Sequence, residues 1–340
     1  MSAPVAIDAR AAVRREIGGV ERLAREWARR LRALRPERYR VFAPRPGLAH
    51  GAGHAWEQLW LPAAAGRARL IVCPANLAPL ASRRNVVVIH DVAALAHPEW
   101  YGDAYVTWQR FVLPRIVRRA RLVITVSEFS RGEIAARLGV AADRTAVVAN
   151  GVSERFLEAI DPAAARTALG LDRPYVLALA TRIARKNLGL LWTAERALAE
   201  QGIELVTAGS GRGYMREGEH APGRALGYVP DAHLPGLYAG AAAFAMPSVY
   251  EGFGLPVLEA MAAGTPVVAA DRTALPEVCG AAALLAPADD PDAFAAALLR
   301  ASGPERERLA AAGRERAAGF TWDRSARRAD ALVSELLEAG

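Results

Sequence analysis

Short apolar runs recur along the chain, each followed by a stretch of helical period. This alternation restricts the fold more than any other feature. Residues 5–9, 40–43, 69–73, 86–90, 122–126 and 146–149 are apolar runs of strand length. After Gly18-Gly19, the residues Val20, Leu23, Trp27, Leu31 and Leu34 recur at helical spacing, with Arg22, Arg25, Arg29 and Arg32 on the other faces. Residues 105–120 read as a helix rich in Arg and aromatics and broken at Pro114, and residues 130–138 as a further helix. Strands alternating with helices predict a parallel sheet with helices on both faces.

The series pauses after Asn150-Gly151, in a segment with Asp161-Pro162 and Asp172-Arg173-Pro174. It then restarts. Strands are expected at 175–180, 205–208, 225–229, 242–246 and 266–269, with a turn at Gly209–Gly211 and helices at 188–199, 231–238 and 275–278. Three Ala- and Arg-rich helices close the chain. The expected division is therefore a first domain at 1–168, a second at 169–322, and a terminal helix at 323–340 packing back on the first. Both domains are α/β and Rossmann-like. Ligands of such sheets bind at the carboxyl ends of the strands, so two facing units make an inter-domain cleft.

Residues 247–261, PSVYEGFGLPVLEAM, carry the densest chemical signal. An apolar run ends in a turn and a Glu, and Gly252, Phe253 and Gly254 lead into Leu255-Pro256 and an apolar helix containing Glu259. Proline suits the first helical turn, where its missing N–H costs nothing. Glycines let the backbone approach a ligand, and a helix N-terminus attracts anions. The stretch reads as a phosphate cradle with a carboxylate on either side. Glu251 and Glu259 are open to two readings, an acid and base pair or acceptors for sugar hydroxyls.

Charge points the same way. The net +7 divides unevenly: residues 1–168 carry 26 Arg against 15 acids, and residues 169–340 carry 17 basic against 21 acidic residues. A basic first half suggests an anionic partner. Of 43 basic residues only Lys186 is a lysine, in a bias of the kind codon usage produces. Its retention suits a site that needs a compact point charge, against the alternative of chance. Lys186 lies between a strand and a helix, in TRIARKN, where a cation can face a cleft and bind phosphate.

The remaining candidates also lie at strand ends. Gly18-Gly19 opens the first helix without the spacing of a dinucleotide fingerprint, and a plain turn is its alternative. His90-Asp91 ends an apolar strand and runs on to His97-Pro98-Glu99-Trp100-Tyr101. The Asp290-Pro291-Asp292 triplet is a helix N-cap rather than a metal–nucleotide motif. Cys73 and Cys279 are expected as packed thiols in a reducing compartment. No run reaches membrane-spanning length and no secretory leader is read at the N-terminus, so a cytoplasmic place is expected.

At these residues the chain resembles the retaining family 4 glycosyltransferases of GT-B fold. Glu251 to Glu259 matches their E-x7-E motif. IGGVERLARE resembles their glycine loop and first helix, and VIHDVAALAHPEWY the corresponding segment of a bacterial mannosyltransferase-like branch. VSEFSRGEI, VANGV, RKN, LGYVPDAHLPGLYAGA and GTPVVAADRTALPEVCG follow in order, over nearly the whole chain.

The resemblance implies roles. Lys186, with Arg182, would contact the donor diphosphate. Glu251 would accept from donor sugar hydroxyls, and the N–H groups of Gly252, Phe253, Gly254 and Leu255 would bind phosphate or sugar. Glu259 would hold the ribose, Tyr228 and Val229 would border the base, and His90 would sit beside the transferred sugar. Gly18 and Gly19 would let the loop approach phosphates and acceptor. One departure concerns the arginine five residues before the lysine: Thr181 stands there and Arg182 is one place on.

The implied reaction is metal- and cofactor-free transfer of a hexose, mannose from GDP-mannose being favoured, to a glycan or lipid-linked acceptor in cell-surface polysaccharide synthesis. UDP- and dTDP-sugars, including rhamnose donors, stay open. The basic residues of the first half, Arg110, Arg115, Arg118, Arg119 and Arg121 beside Trp108 and Phe111, have two readings: peripheral contact with an anionic membrane surface, or a solvated face. Three rivals are a silent transferase-like subunit, a dinucleotide oxidoreductase and a nucleic-acid binder. The four candidate residues His90, Lys186, Glu251 and Glu259 argue against the first, the missing fingerprint against the second and the acidic second half against the third.

Overall fold

The computed structural model describes residues 4–14, 17–49, 53–179, 183–209 and 221–339. By their contacts the residues form two compact units. One comprises Met1–Ala96, Asp103–Gly151 and Trp322–Gly340, the other His97–Gly102 and Val152–Thr321.

The first unit holds strands β1 (Val5–Asp8), β2 (Tyr39–Phe42), β3 (Leu70–Cys73), β4 (Asn85–Val88), β5 (Leu122–Thr125) and β6 (Thr145–Val147). They form one parallel sheet in the order β2-β1-β3-β4-β5-β6. The strands are apolar runs rather than alternating ones because helices cover both faces; β1, β3, β4 and β5 are buried at every position. Ile71, Val87, Ile89 and Val123 meet Val112, Leu113, Ile116 and Val117 of the helix Asp103–Arg119 in the core.

That helix is continuous, which corrects the expected break at Pro114. Proline removes one helical hydrogen bond and crowds the preceding turn. The buried side chains flanking it, Val112, Leu113, Ile116 and Val117, offset the loss.

The terminal helix Trp322–Glu338 packs on Gly19–Leu34. Trp27 Nε1 donates to Ser325 Oγ at 3.0 Å, and Arg30 pairs with Asp323. The Tyr39 hydroxyl donates to Asp330 at 2.6 Å, and Arg35 and Arg38 pair with the same carboxylate.

The second unit holds β7 (Tyr175–Leu179), β8 (Glu204–Ala208), β9 (Arg224–Ala225), β10 (Ala243–Met246), β11 (Val267–Ala270) and β12 (Leu284–Ala286). These form a second parallel sheet, ordered β12-β11-β10-β7-β8-β9. Strand β12 was not expected; it is three residues long, with Leu285 exposed. Strand β9 replaces the run expected at 225–229 and stops early, because Gly227 turns the backbone to φ +67°.

The part of the first unit that precedes the second ends at Gly151, before the division expected at 168. Phe156 sets its buried ring against Tyr238 at 5.8 Å, and the helix Ala163–Leu169 packs on Leu234–Ala239, both within the second unit. Asp290 caps the helix Pro291–Ser302 as expected, accepting from the Ala293 N–H at 2.9 Å. Cys73 and Cys279 are buried, free thiols. Among the described residues no helix is long and apolar enough to cross a membrane.

Candidate active site

In an open parallel sheet the connections leave on opposite faces where the strand order reverses, and the crevice outside those carboxyl ends takes the ligand. In the second unit the reversal lies between β7, followed by β8 on one side, and β10 on the other. The loop after β7 carries Arg185 and Lys186, and the loop after β10 carries Glu251 to Gly254.

The two loops are joined directly. The Val249 N–H donates to the Arg185 carbonyl at 2.9 Å, and Arg185 Nη1 donates to the Tyr250 carbonyl at 2.9 Å. Asn187 takes a left-handed conformation, φ +52°, which Asn tolerates better than most residues. Its amide donates to the Pro247 carbonyl at 3.2 Å and the Ala288 carbonyl at 2.8 Å, tying in the segment after β12.

At the centre Lys186 Nζ lies 2.6 Å from Glu251 Oε1, and Arg185 Nη1 lies 3.3 Å from Oε2. All three side chains are largely buried. Burial raises the Glu251 pKa, but the charge of Lys186 and then of Arg185 outweighs it and holds the carboxyl at about 2. The Glu251 N–H donates to Thr273 Oγ1 at 3.1 Å. A cationic pair at a switch point, with one carboxylate between loops, is suited to meeting an anion and a set of hydroxyls together.

Gly254 caps the helix Leu255–Ala262 at φ +97°, and a Cβ there would lie 2.8 Å from Leu275 Cδ2. Only glycine fits both the dihedral and the space. Phe253 packs edge-on against Phe320 at 6.1 Å. Glu259, on the same helix, is buried and accepts from the Tyr238 hydroxyl at 3.0 Å. Val229 is buried and Tyr228 is 72% exposed. Arg182 lies outside the described residues.

His97–Gly102 belongs to this unit by its contacts. His97 stacks on Trp100 at 3.9 Å, and both rings meet Tyr250 edge-on, at 5.5 Å and 6.2 Å.

The other sequence-derived residues lie in the first unit. The Gly18 N–H donates to Glu21 Oε2 at 3.0 Å, and Gly19 is the exposed first residue of its helix. His90, after β4, is buried. Its N–H donates to Asn76 Oδ1 at 2.7 Å and its Nε2 lies 2.9 Å from the Pro74 carbonyl. A carbonyl only accepts, so Nε2 carries the proton in this contact. Burial lowers the His90 pKa, with the Pro74 bond opposing it, which favours the neutral ring.

The structure thus brings Lys186 and Glu251 into contact and places Gly254 at the helix start beside them. Sequence reasoning missed Arg185 and Thr273 as partners of Glu251, and Asn187 as the tie between loops. All three sit inside the quoted motifs, and for Arg185 and Asn187 adjacency to Lys186 was the available signal.

The model of the family described as "Glycosyl transferases group 1" matches residues 173–302, and that of "Glycosyltransferase Family 4" matches residues 54–156. The chain is 34% identical over 268 residues to the O-antigen chain mannosyltransferase B of Escherichia coli, covering 71% of this chain and 67% of that protein. It is 33% identical over 239 residues to an MMP alpha-(1->4)-mannosyltransferase of Mycolicibacterium hassiacum, covering 66% of this chain but only 54% of the relative. Among solved structures it is similar to a sucrose-phosphate synthase of Thermosynechococcus elongatus, with TM-score 0.76 and 20% identity over 99% of this chain and all of that one. Anabaena Alr3699/HepE, solved with UDP, matches at TM-score 0.69 and 19% identity over 98% of this chain and 100% of that one. With two parallel six-stranded sheets of this order and both family models matched in sequence, the chain belongs to the family 4 glycosyltransferases and is a glycosyltransferase of GT-B fold.

Proposed function

We propose that the protein transfers a hexose, with retention, from a nucleotide sugar to a glycan or lipid-linked acceptor, and that the donor is GDP-mannose. The observation that carries the reading is the Lys186–Glu251 contact of 2.6 Å at the β7/β10 switch point. The mannosyltransferase relatives support the choice of sugar.

In this reading the leaving group is a nucleoside diphosphate whose charge grows as the glycosidic bond breaks. Lys186 turns from Glu251 to that charge, and the N–H groups at the start of the helix Leu255–Ala262 add to it. Glu251, ionised at every physiological pH, accepts from sugar hydroxyls. Glu259 turns from Tyr238 to the ribose, and Tyr228 and Val229 border the base. The leaving phosphate takes the acceptor proton, and neutral His90 lines the sugar. Since Lys186 and the helix start supply the counter-charge, transfer is expected to survive chelation by EDTA.

A thermal-shift screen with GDP, UDP and dTDP tests the donor, because a ligand that binds only the folded chain raises its melting temperature. GDP should give the largest shift. A larger shift with UDP or dTDP would replace the mannose reading with that base, and no shift together with no donor hydrolysis would favour a silent binding subunit. Peripheral contact with anionic lipid through Arg110, Arg115, Arg118 and Arg119 is part of the proposal. Exposed Trp108 and Phe111 support it, and salt-sensitive flotation on anionic vesicles tests it.

A further inference from the structure

The first sheet has its own switch point, between β1 and β3, with β2 on the far side of β1. Asp8 ends β1 and Cys73 ends β3. Three charged groups are buried there: Asp8 at 2% exposure, Arg10 at 1% and Glu57 at 0%. Arg10 donates its backbone N–H to Asp8 Oδ1 at 2.9 Å and its Nε to Glu57 Oε2 at 2.7 Å. Gln58 donates to Glu57 Oε1 at 3.2 Å. Arg10 thus bonds to both carboxyls, through its backbone N–H to Asp8 and through its guanidinium to Glu57.

One guanidinium against two carboxylates would leave a buried net negative charge, which burial disfavours. One proton closes the balance. Among the described residues, His54 and the Cys73 thiol are the other titratable groups facing this cluster, and Arg14 acts on His54. Glu57 also lies in a π-helical turn, Trp56–Trp60, a rare geometry concentrated at functional sites.

The cluster leads to the glycine loop. Arg10 starts the 3-10 turn Ala11–Val13. Arg25 clamps the end of that turn, donating to the Ala12 carbonyl at 2.6 Å and the Arg14 carbonyl at 2.7 Å. Arg14 pairs with Glu21 at 3.2 Å, and Glu21 holds the Gly18 N–H. We propose that Asp8, Arg10 and Glu57 are positioning residues for the Gly18-Gly19 loop, and that a single proton held by this buried cluster keeps that loop in its working arrangement. The proposal rests on the reading that this loop serves the donor phosphates and acceptor.

Loss of the proton adds a buried negative charge beside Arg10 and unbalances its bonds to the two carboxyls. Burial and then the Glu57 charge raise Asp8 to about 8, so the loss falls at mildly alkaline pH.

The test is the pH profile of transfer and of acceptor-free donor hydrolysis by the full chain and by Asp8→Asn, which keeps a hydrogen-bond donor without a titrating proton. Wild-type kcat/KM for the acceptor should fall about ten-fold per pH unit above pH 8, and Asp8→Asn should flatten that limb. Amide exchange of residues 9–14 and 17–22 in the wild type, corrected for intrinsic rate, should rise between pH 7 and 9.5. It requires no variant. An unchanged limb in Asp8→Asn, or flat protection across that range, overturns the proposal. Failure of every nucleoside diphosphate to bind would remove the transferase reading instead, and the exchange measurement would still decide the role of the proton.

Discussion

The two switch points occupy the same place in two sheets of like topology and hold opposite charge balances. At β7/β10 two cations surround one carboxylate, and Glu251 is driven down to about 2. At β1/β3 one arginine bonds two carboxyls, Asp8 by its backbone and Glu57 by its guanidinium, and Asp8 is driven up to about 8. Burial acts in the same direction on both. The count of partners decides the sign. The second unit thus offers cations to an anionic ligand, whereas the first keeps a neutral, closed cluster that holds a loop.

The largest effect expected to test this contrast is that of Lys186→Ala. It removes the principal partner of Glu251 and the proposed counter-charge of the leaving group. Turnover should fall by about 10²–10³-fold, read from steady-state donor consumption. A loss below ten-fold would mean that the cationic switch point is not where charge develops.

The pH dependence of stability should run in opposite directions. Glu251 has its folded pKa below the usual 4.5, so its contribution is full above that value and is lost as pH falls towards 2. The shift corresponds to on the order of 3 kcal/mol. Asp8 has its folded pKa above the usual 3.8, so its contribution is full below that value and is lost as pH rises through about 8. Urea unfolding at pH 3, 5, 7 and 9 should show Glu251→Gln flattening the acid slope and Asp8→Asn the slope between pH 5 and 8. Equal slopes for both variants and the wild type would end the comparison.

Gly254→Ala should cost about 2 kcal/mol through its dihedral and the Leu275 contact, with a matching fall in the stabilisation given by the nucleoside diphosphate. The smallest effect concerns a device that both regions share. Asn76 at φ +61° and Asn187 at φ +52° each pin a neighbouring loop by their side chains. Asn→Gly at either position keeps the backbone and loses those bonds, for about 1 kcal/mol in thermal unfolding. A markedly larger loss at only one would show that the two loops are not held alike.

Much of this was legible beforehand because buried parallel strands leave continuous apolar runs, as at β1, β3, β4, β5 and β10. Lys186 and Glu251 stood out because each is short-range in its signal: a lone lysine, and a Glu beside a Gly-Phe-Gly turn. Strand β12 was not visible, since three residues with one face exposed carry no period. The continuity of the helix through Pro114 depends on tertiary packing that outweighs local propensity. Asp8 and Glu57 lie in separate segments, and nothing local announces that they meet at one arginine. Only the β1/β3 juxtaposition and the π-helical turn bring them together.

The helix Trp322–Glu338 also sets the order in which the protein can be made. Its Trp27, Tyr39, Arg35 and Arg38 contacts complete a unit whose other residues are synthesised much earlier. On the ribosome, the first half therefore waits for the last segment to emerge, whereas Val152–Thr321 has nearly all of its own partners in hand before then. The later-encoded unit is positioned to fold first, the reverse of the usual vectorial order. Nascent chains arrested before residue 322 should expose the Trp27 face of the helix Gly19–Leu34 to chaperones.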